Sequence, residues 1–193
     1  AEIAKMTADR TGLDGAVRRI DCDLIAMAGG FNPTVHLFSQ SRGKLTWDAE
    51  RFIFVPGTSH EPEVSVGGCN GDFSVSQAIK DGLQKGVEMA REAGFTGRKL
   101  AAPEVSEPGS TPERTLWLLP STKPVGHKGK HFVDFQNDVT AADLKLATRE
   151  GYRSIEHVKR YTTTGMATDQ GKTSNVNALA IVSETLGVDV TKV

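Results

Sequence analysis

The chain has 193 residues, enough for one large or two small domains, and 38% of them are hydrophobic, an ordinary share for a soluble globular protein. Its 23 Lys and Arg against 24 Asp and Glu leave a net charge of −1, which argues against nucleic acid or an anionic membrane surface as the main partner. The longest nearly apolar run, "LIAMAGGF" at 24–31, is too short to span a bilayer, and no basic-then-apolar segment marks a secretion signal, so a cytoplasmic setting is expected.

Residues 1–98 read as α/β. The chain opens without methionine and in mid-pattern, as a piece of a longer protein would. "CDLIAMAGG" at 22–30 is an apolar run ending in two glycines, like a buried strand that reaches a tight turn. "RFIFVPG" at 51–57 and "EVSVGG" at 63–68 are two further strand-like runs, each stopped by glycine. From Val75 the period changes. Val75, Ile79, Leu83, Val87 and Ala90 recur at helical steps and predict one helix that ends near Gly94. Cys22 and Cys69 are far apart and form no C-x-x-C pair, so neither a zinc site nor a disulfide framework is indicated.

Residues 99–131 hold five of the eight prolines and read as a linker, with "TLWLLP" at 115–120 either pinned to a surface or added as an edge strand. A connection of that length supports a domain boundary. Of the five histidines, His127 and His131 lie four apart, but the glycines of "GHKGKH" break any helix there and solvent is the expected environment. His36, His60 and His157 show no ligand spacing either. Trp47 and Trp117 are expected to be packing anchors.

Residues 132–193 read as helical. Thr140 and Asp143 form a capping box for a helix that runs to Glu150 and stops at Gly151. Ser154 caps a second helix with Ile155 and Val158 inward, and a third starts near Asn175, with Leu179, Val182 and Leu186 on one face and Gly187 as terminator. Between them lies "GMATDQGKTSN" at 165–175. It looks like a phosphate-binding P-loop, but five residues separate Gly165 from Gly171-Lys172 where a P-loop has four, and the preceding "KRYTTT" is no buried strand. Lys172, Thr173 and Ser174 still bring a cation, two hydroxyls and first-turn amides to one place, which suits an anion. The alternative is that Ser174 caps the helix and Lys172 is solvated.

"EVSVGGCNGDFSVSQAIKDG" at 63–82 is a run, a glycine turn and a helix. Such a turn presents free amides and a positive helix end to a phosphate, or is simply a tight connection that glycine permits.

The order "CDLIAMAGGFNPTVHL", "GKLTWDAERFIFVPG", "VSVGGCNG" and helix resembles the closing half of a two-dinucleotide-binding flavoprotein fold. In that fold the Ala28-Gly29 turn closes the inserted nucleotide domain, and an acidic residue touches the flavin ribityl chain where this sequence has Cys69. "CDLIAMAGGFNPTVHLFSQSRGKLTWD", "FVDFQNDVT" and "KRYTTTGMATDQGKTSN" are similar to the alpha subunits of heterotetrameric sarcosine oxidases. The resemblance implies oxidative demethylation of sarcosine, giving glycine, hydrogen peroxide and a one-carbon unit passed to tetrahydrofolate. It implies NAD rather than FAD beside Gly68, Cys69, Asn70, Phe73, Ser74 and Val75, as a partial site. FMN is implied at the interface with the flavin-bearing beta subunit, with Lys172, Thr173 and Ser174 near its phosphate, and FAD and tetrahydrofolate elsewhere in the complex. No catalytic residue is expected in this chain.

The resemblance extends to small helical ferredoxin domains of related dehydrogenases. Their four cluster thiolates fall here on Asp134, Gln136, Asp169 and Ser174, around Gln170, Gly171 and Lys172, which cannot hold a 2Fe–2S cluster. The expected architecture is therefore 1–98 as the C-terminal half of a dinucleotide-binding domain, 99–131 as linker, and 132–193 as a small all-α domain of degenerate 2Fe–2S ferredoxin type, without metal. A subunit of an NAD- or FAD-linked amino-acid or opine dehydrogenase and a non-catalytic interaction module are the competing readings.

Overall fold

The computed structural model describes residues 1–9, 11–26, 30–96, 98, 100–107, 115–121, 123–127 and 129–193. The chain divides into two compact units, Ala26–Glu113 on the one hand and Ala1–Ile25 with Arg114–Val193 on the other.

In the first unit, α1 (His36–Gln40) buries Phe38. The Phe38 ring lies so close to Gly43 that a Cβ there would collide with it. Strands β3 (Lys44–Asp48) and β4 (Ile53–Thr58) form an antiparallel ribbon in which Trp47 faces Phe54. Their ring centroids are 4.8 Å apart, and Trp47 meets Phe52 edge-on at 6.2 Å, so Trp47 is the expected packing anchor. Asp48 Oδ1 accepts the N–H groups of Glu50 and Arg51 and fixes the turn. The run 63–68 differs from expectation. Val66 is extended, but Gly67–Asn70 is a 3₁₀ turn and no ladder forms. Helix α2 (Val75–Glu92) follows, capped by Ser74, whose Oγ accepts Gln77 N–H at 3.1 Å. It ends at Ala93, ahead of Gly94 at φ +86°. The apolar stripe is where its period put it, yet none of its residues is fully buried.

In the second unit, β1 (Glu2–Met6) and β2 (Leu13–Arg19) make an antiparallel ribbon whose second strand is exposed throughout. A strand like β2 carries no inward face and so no alternation to read. The described start of "CDLIAMAGG", residues 22–26, is not a buried strand. Leu24 and Ile25 are 83% and 60% exposed, and among the described residues no strand pairs with 22–26 to bury them. The Ala28-Gly29 turn lies outside the described residues.

The carboxy-terminal part is helical with one addition. A short ribbon, β5 (Phe132–Asp134) and β6 (Val139–Thr140), precedes α3 (Ala141–Arg149), α4 (Ile155–Thr162) and α5 (Asn175–Leu186). Val133, Val139, Leu144, Val158, Ile181 and Val182 meet in one core. Thr140 and Asp143 complete the capping box, and the helix stops at Glu150, before Gly151 at φ +100°. Ser154 stands at the α4 N-cap without a side-chain bond, and Gly187 closes α5 at φ +65°. On α5 the fully buried side chains are Ala178, Ala180, Ile181, Val182 and Ser183, a broader surface than the expected Leu179–Val182–Leu186 stripe. Thr140→Ala should cost about 1 kcal/mol, read as a lower urea midpoint at unchanged slope.

In the proline-rich stretch, "TLWLLP" follows the first of its two expectations and is held to a surface. Trp117, Leu118 and Val125 pack against the helical core, among the described residues the stretch adds no strand, and Leu100 and 102–106 line grooves with α2. His131 is half-buried rather than solvated. Its carbonyl accepts Ala141 N–H at 2.8 Å, which pins it at the end of the β5–β6 ladder, and its Nδ1 is enclosed without a partner. Every described sheet is two-stranded and antiparallel, so the parallel strands of a dinucleotide-binding sheet are not among the described residues.

Candidate functional site

Two places carry the residues singled out in the sequence. The first is the glycine turn before α2. Gly67 (φ +66°) and Gly71 (φ +84°) have backbone conformations that side chains rarely adopt. A Cβ on Gly67 would lie 3.2 Å from Ala78 Cβ, and one on Gly71 within 3.2 Å of Ile53, Arg51 and Val55. These two glycines let the turn pack against α2 and β4. Arg51 fastens the same turn, donating from Nη1 to Gly71 O at 2.9 Å and from Nε to Asp48 Oδ2 at 2.9 Å. Gly68 is different. Among the described residues a Cβ there meets only the Phe73 ring, at 3.9 Å, which leaves the backbone open to approach on that side.

Around Gly68 the sequence-predicted residues are gathered but unequal. Cys69 turns its thiol to Val66 O at 3.0 Å. Asn70 is half-buried, and Phe73 is 45% exposed with its ring 5.8 Å from that of Phe31. Ser74 and Val75 are exposed at the start of α2. The positive end of α2 already holds an anion. Glu107 accepts Ser76 N–H at 2.7 Å and the Ser74 hydroxyl at 2.9 Å. The Ser76 amide, then the Ser74 hydroxyl, hold the Glu107 carboxyl below its ordinary range. Sequence reading missed Glu107, because nothing local ties a carboxylate in a proline-rich stretch to a helix 31 residues earlier.

The second place is the pair of loops 134–138 and 163–174. Asp134, 2% exposed, is the hinge between them. Its Oδ1 accepts Gln136 N–H at 2.9 Å and Asn137 N–H at 3.1 Å, and its Oδ2 accepts Gly165 N–H at 2.8 Å. Gln136 Oε1 accepts Asp169 N–H at 3.3 Å, and Asn137 Nδ2 donates to Thr163 O at 2.9 Å. Asp169 accepts Gly171 N–H, Thr173 N–H and, at 2.7 Å, the Thr173 hydroxyl. That hydroxyl is the leading reason its carboxyl sits below the ordinary range. Gly165 (φ +70°) and Gly171 (φ +75°) both press against the Asn175 amide, and a Cβ on either would overlap it.

Asp134, Gln136 and Asp169 are thus joined through hydrogen-bonded loops, but each offers oxygen already engaged with backbone amides. This donor set does not fit an iron–sulfur cluster, which takes soft thiolates. Among the described residues no three His, Cys, Asp or Glu side chains converge as a metal site. Ser174 is neither an exposed phosphate ligand nor a cap. It is 1% exposed, makes no capping bond, and its Oγ has no hydrogen-bond partner. Lys172 and Thr173 are exposed. The Asp169 carboxylate takes the loop amides of Gly171 and Thr173.

Comparison with known proteins adds a second kind of observation. Residues 128–193 match the family model described as the Sarcosine oxidase A3 domain. The chain is 42% identical over 181 residues to "Sarcosine oxidase subunit alpha" of Rhizobium meliloti (strain 1021), covering 93% of this chain and 18% of that protein. It is 39% identical over 177 residues to the protein of the same name from Corynebacterium sp. (strain P-1), covering 91% of this chain and again 18% of the relative. The chain therefore spans less than a fifth of the length of these curated relatives. Among solved structures, L-proline dehydrogenase from P. horikoshii superposes with a TM-score of 0.53 at 18% identity, over 82% of this chain and 33% of that one. At that identity the likeness concerns the fold alone. Among the described residues no helix is long and apolar enough to cross a membrane.

Proposed function

Because the chain is homologous to one segment of sarcosine oxidase alpha subunits, and carries their A3 domain at 128–193, we propose that it serves as that segment of a cytoplasmic, multi-subunit sarcosine oxidase. The reaction is oxidative demethylation of sarcosine to glycine and hydrogen peroxide, with the one-carbon unit taken by tetrahydrofolate. This segment contributes no catalytic residue. Its part is one wall of an NAD site and a docking module beside the flavin-bearing beta subunit. The observation that carries the reading is identity of about two residues in five along nine-tenths of the chain.

The NAD wall is Gly68, Cys69, Asn70, Phe73, Ser74 and Val75. What supports it is the open backbone at Gly68, the exposed Phe73 ring beside it, and the α2 N-terminus two residues on, a combination that suits a dinucleotide. The docking module is 132–193, with Lys172 as the exposed cation nearest the proposed FMN phosphate. Thr173 reaches that phosphate only by leaving Asp169, and Ser174 only by turning outward. Bound NAD would place its phosphates against the α2 end, and this chain's own work there is to bind and orient.

The test is calorimetric titration of NAD into the assembled oxidase. Gly68→Val places a side chain where, among the described residues, a Cβ meets only Phe73, and fills the approach; circular dichroism checks that the variant is folded. At least a tenfold loss of NAD affinity is expected. Unchanged NAD affinity in the folded variant would show that the site lies elsewhere.

A further inference from the structure

We propose that residues 100–107 form a strap along α2 whose terminal carboxylate, Glu107, occupies the helix end and competes there with an anionic ligand. The inference rests on the dinucleotide reading of the α2 end given above. Three observations carry it. Glu107 takes two donors at once, Ser76 N–H at 2.7 Å and Ser74 Oγ at 2.9 Å, the geometry a phosphate oxygen pair would adopt. The contact is exposed and made by a chain segment 31 residues away, and the Ser74 hydroxyl that donates to Glu107 also accepts the Gln77 N–H as helix cap, a bond that survives when the Glu107 carboxylate leaves. Upstream of Glu107 the strap has a shallow seat rather than a buried one. Leu100 and Ala102 share a groove of about 410 Å³ with Leu83 and Val87, and Leu100 remains 54% exposed.

Lys80 lines both this groove and the adjoining one formed by Pro103–Ser106, and adds favourable charge for the Glu107 carboxylate. The seat therefore combines a charge-assisted tip with a weakly buried stem. Segments with few buried contacts open at low free-energy cost. A ligand and a strap that need the same donors are linked: each lowers the apparent affinity of the other.

The test uses the assembled oxidase with Glu107→Gln and Glu107→Asp subunits, NAD as the probe, and hydrogen exchange of the peptide 100–107 as a second readout. NAD should bind the Glu107→Gln form about fivefold more tightly than the wild type, with Glu107→Asp between them. NAD added to the wild type should speed exchange in 100–107. Removing a negative charge alone would tighten binding without that second effect, so faster exchange is what identifies displacement of the strap. Equal NAD affinity in all three forms, or exchange in 100–107 unmoved by saturating NAD, overturns the strap and leaves the dinucleotide site standing. NAD binding to none of them ends the dinucleotide reading and the competition with it.

Discussion

Replacing Asp134 by alanine is expected to destabilise the chain by about 3 kcal/mol and to release the loop 163–174 as well as the turn 135–138. Three N–H groups lose a charged acceptor. Those of Gln136 and Asn137 lie in exposed residues, where water replaces the carboxylate at small cost. The Gly165 N–H is buried and has no such replacement, so it bears most of the loss. Asparagine separates charge from geometry. Its single carbonyl oxygen serves either the turn or Gly165, and its amide then points donors at a donor, so Asp134→Asn should fall nearer to alanine than to wild type. Urea unfolding measures the total, and exchange at the Gly165 amide shows whether the second loop opens first. A midpoint within experimental error of wild type, with Gly165 still protected, would mean that the two loops hold each other through Gln136 and Asn137 instead.

The second large effect belongs to the core. Leu144 is fully buried on α3, among Val133, Val158, Ile181 and Val182. Leu144→Ala removes three carbons from a place where two helices and a ribbon converge on α3. A loss of about 3 kcal/mol is expected. Leu83→Ala on the half-buried stripe of α2 is the internal control, and its cost should be clearly smaller because solvent already reaches that face. Equal losses at the two positions would mean that α2 is more deeply packed than its exposure indicates.

The difference between these two helices also explains what the sequence could reveal. α3 was legible because its signals are local: Thr140 and Asp143 at capping-box spacing, then Gly151 as a stop. α2 was legible from period alone, but period gives the direction of a face and not its depth of burial, so the incomplete burial of its stripe was not foreseen. The β1–β2 ribbon was invisible for the opposite reason, since β2 is exposed on both faces and has no alternation to display. "CDLIAMAGG" misled because an apolar run announces a wish for burial, while burial depends on neighbours that no local window contains. At the two sites the residues were found but their bonding was not. Asp134 and Asp169 were located by resemblance, and their role as acceptors for backbone amides has only the weak local signal of an aspartate two or three residues ahead of a turn. Glu107 had none.

The Asn175 amide lies against both Gly165 and Gly171, six residues apart and each at positive φ. These three positions therefore cannot drift independently. A methyl group at either glycine must find space by displacing asparagine, whereas a smaller residue at 175 would make room for it, at the expense of whatever the amide does for the loop. Across a lineage, this predicts epistasis rather than simple intolerance: the order of substitution decides which are accepted. A change at 175 removes the need to displace the amide before alanine enters at 165 or 171, leaving only the intrinsic strain of a side chain in the left-handed region to oppose it.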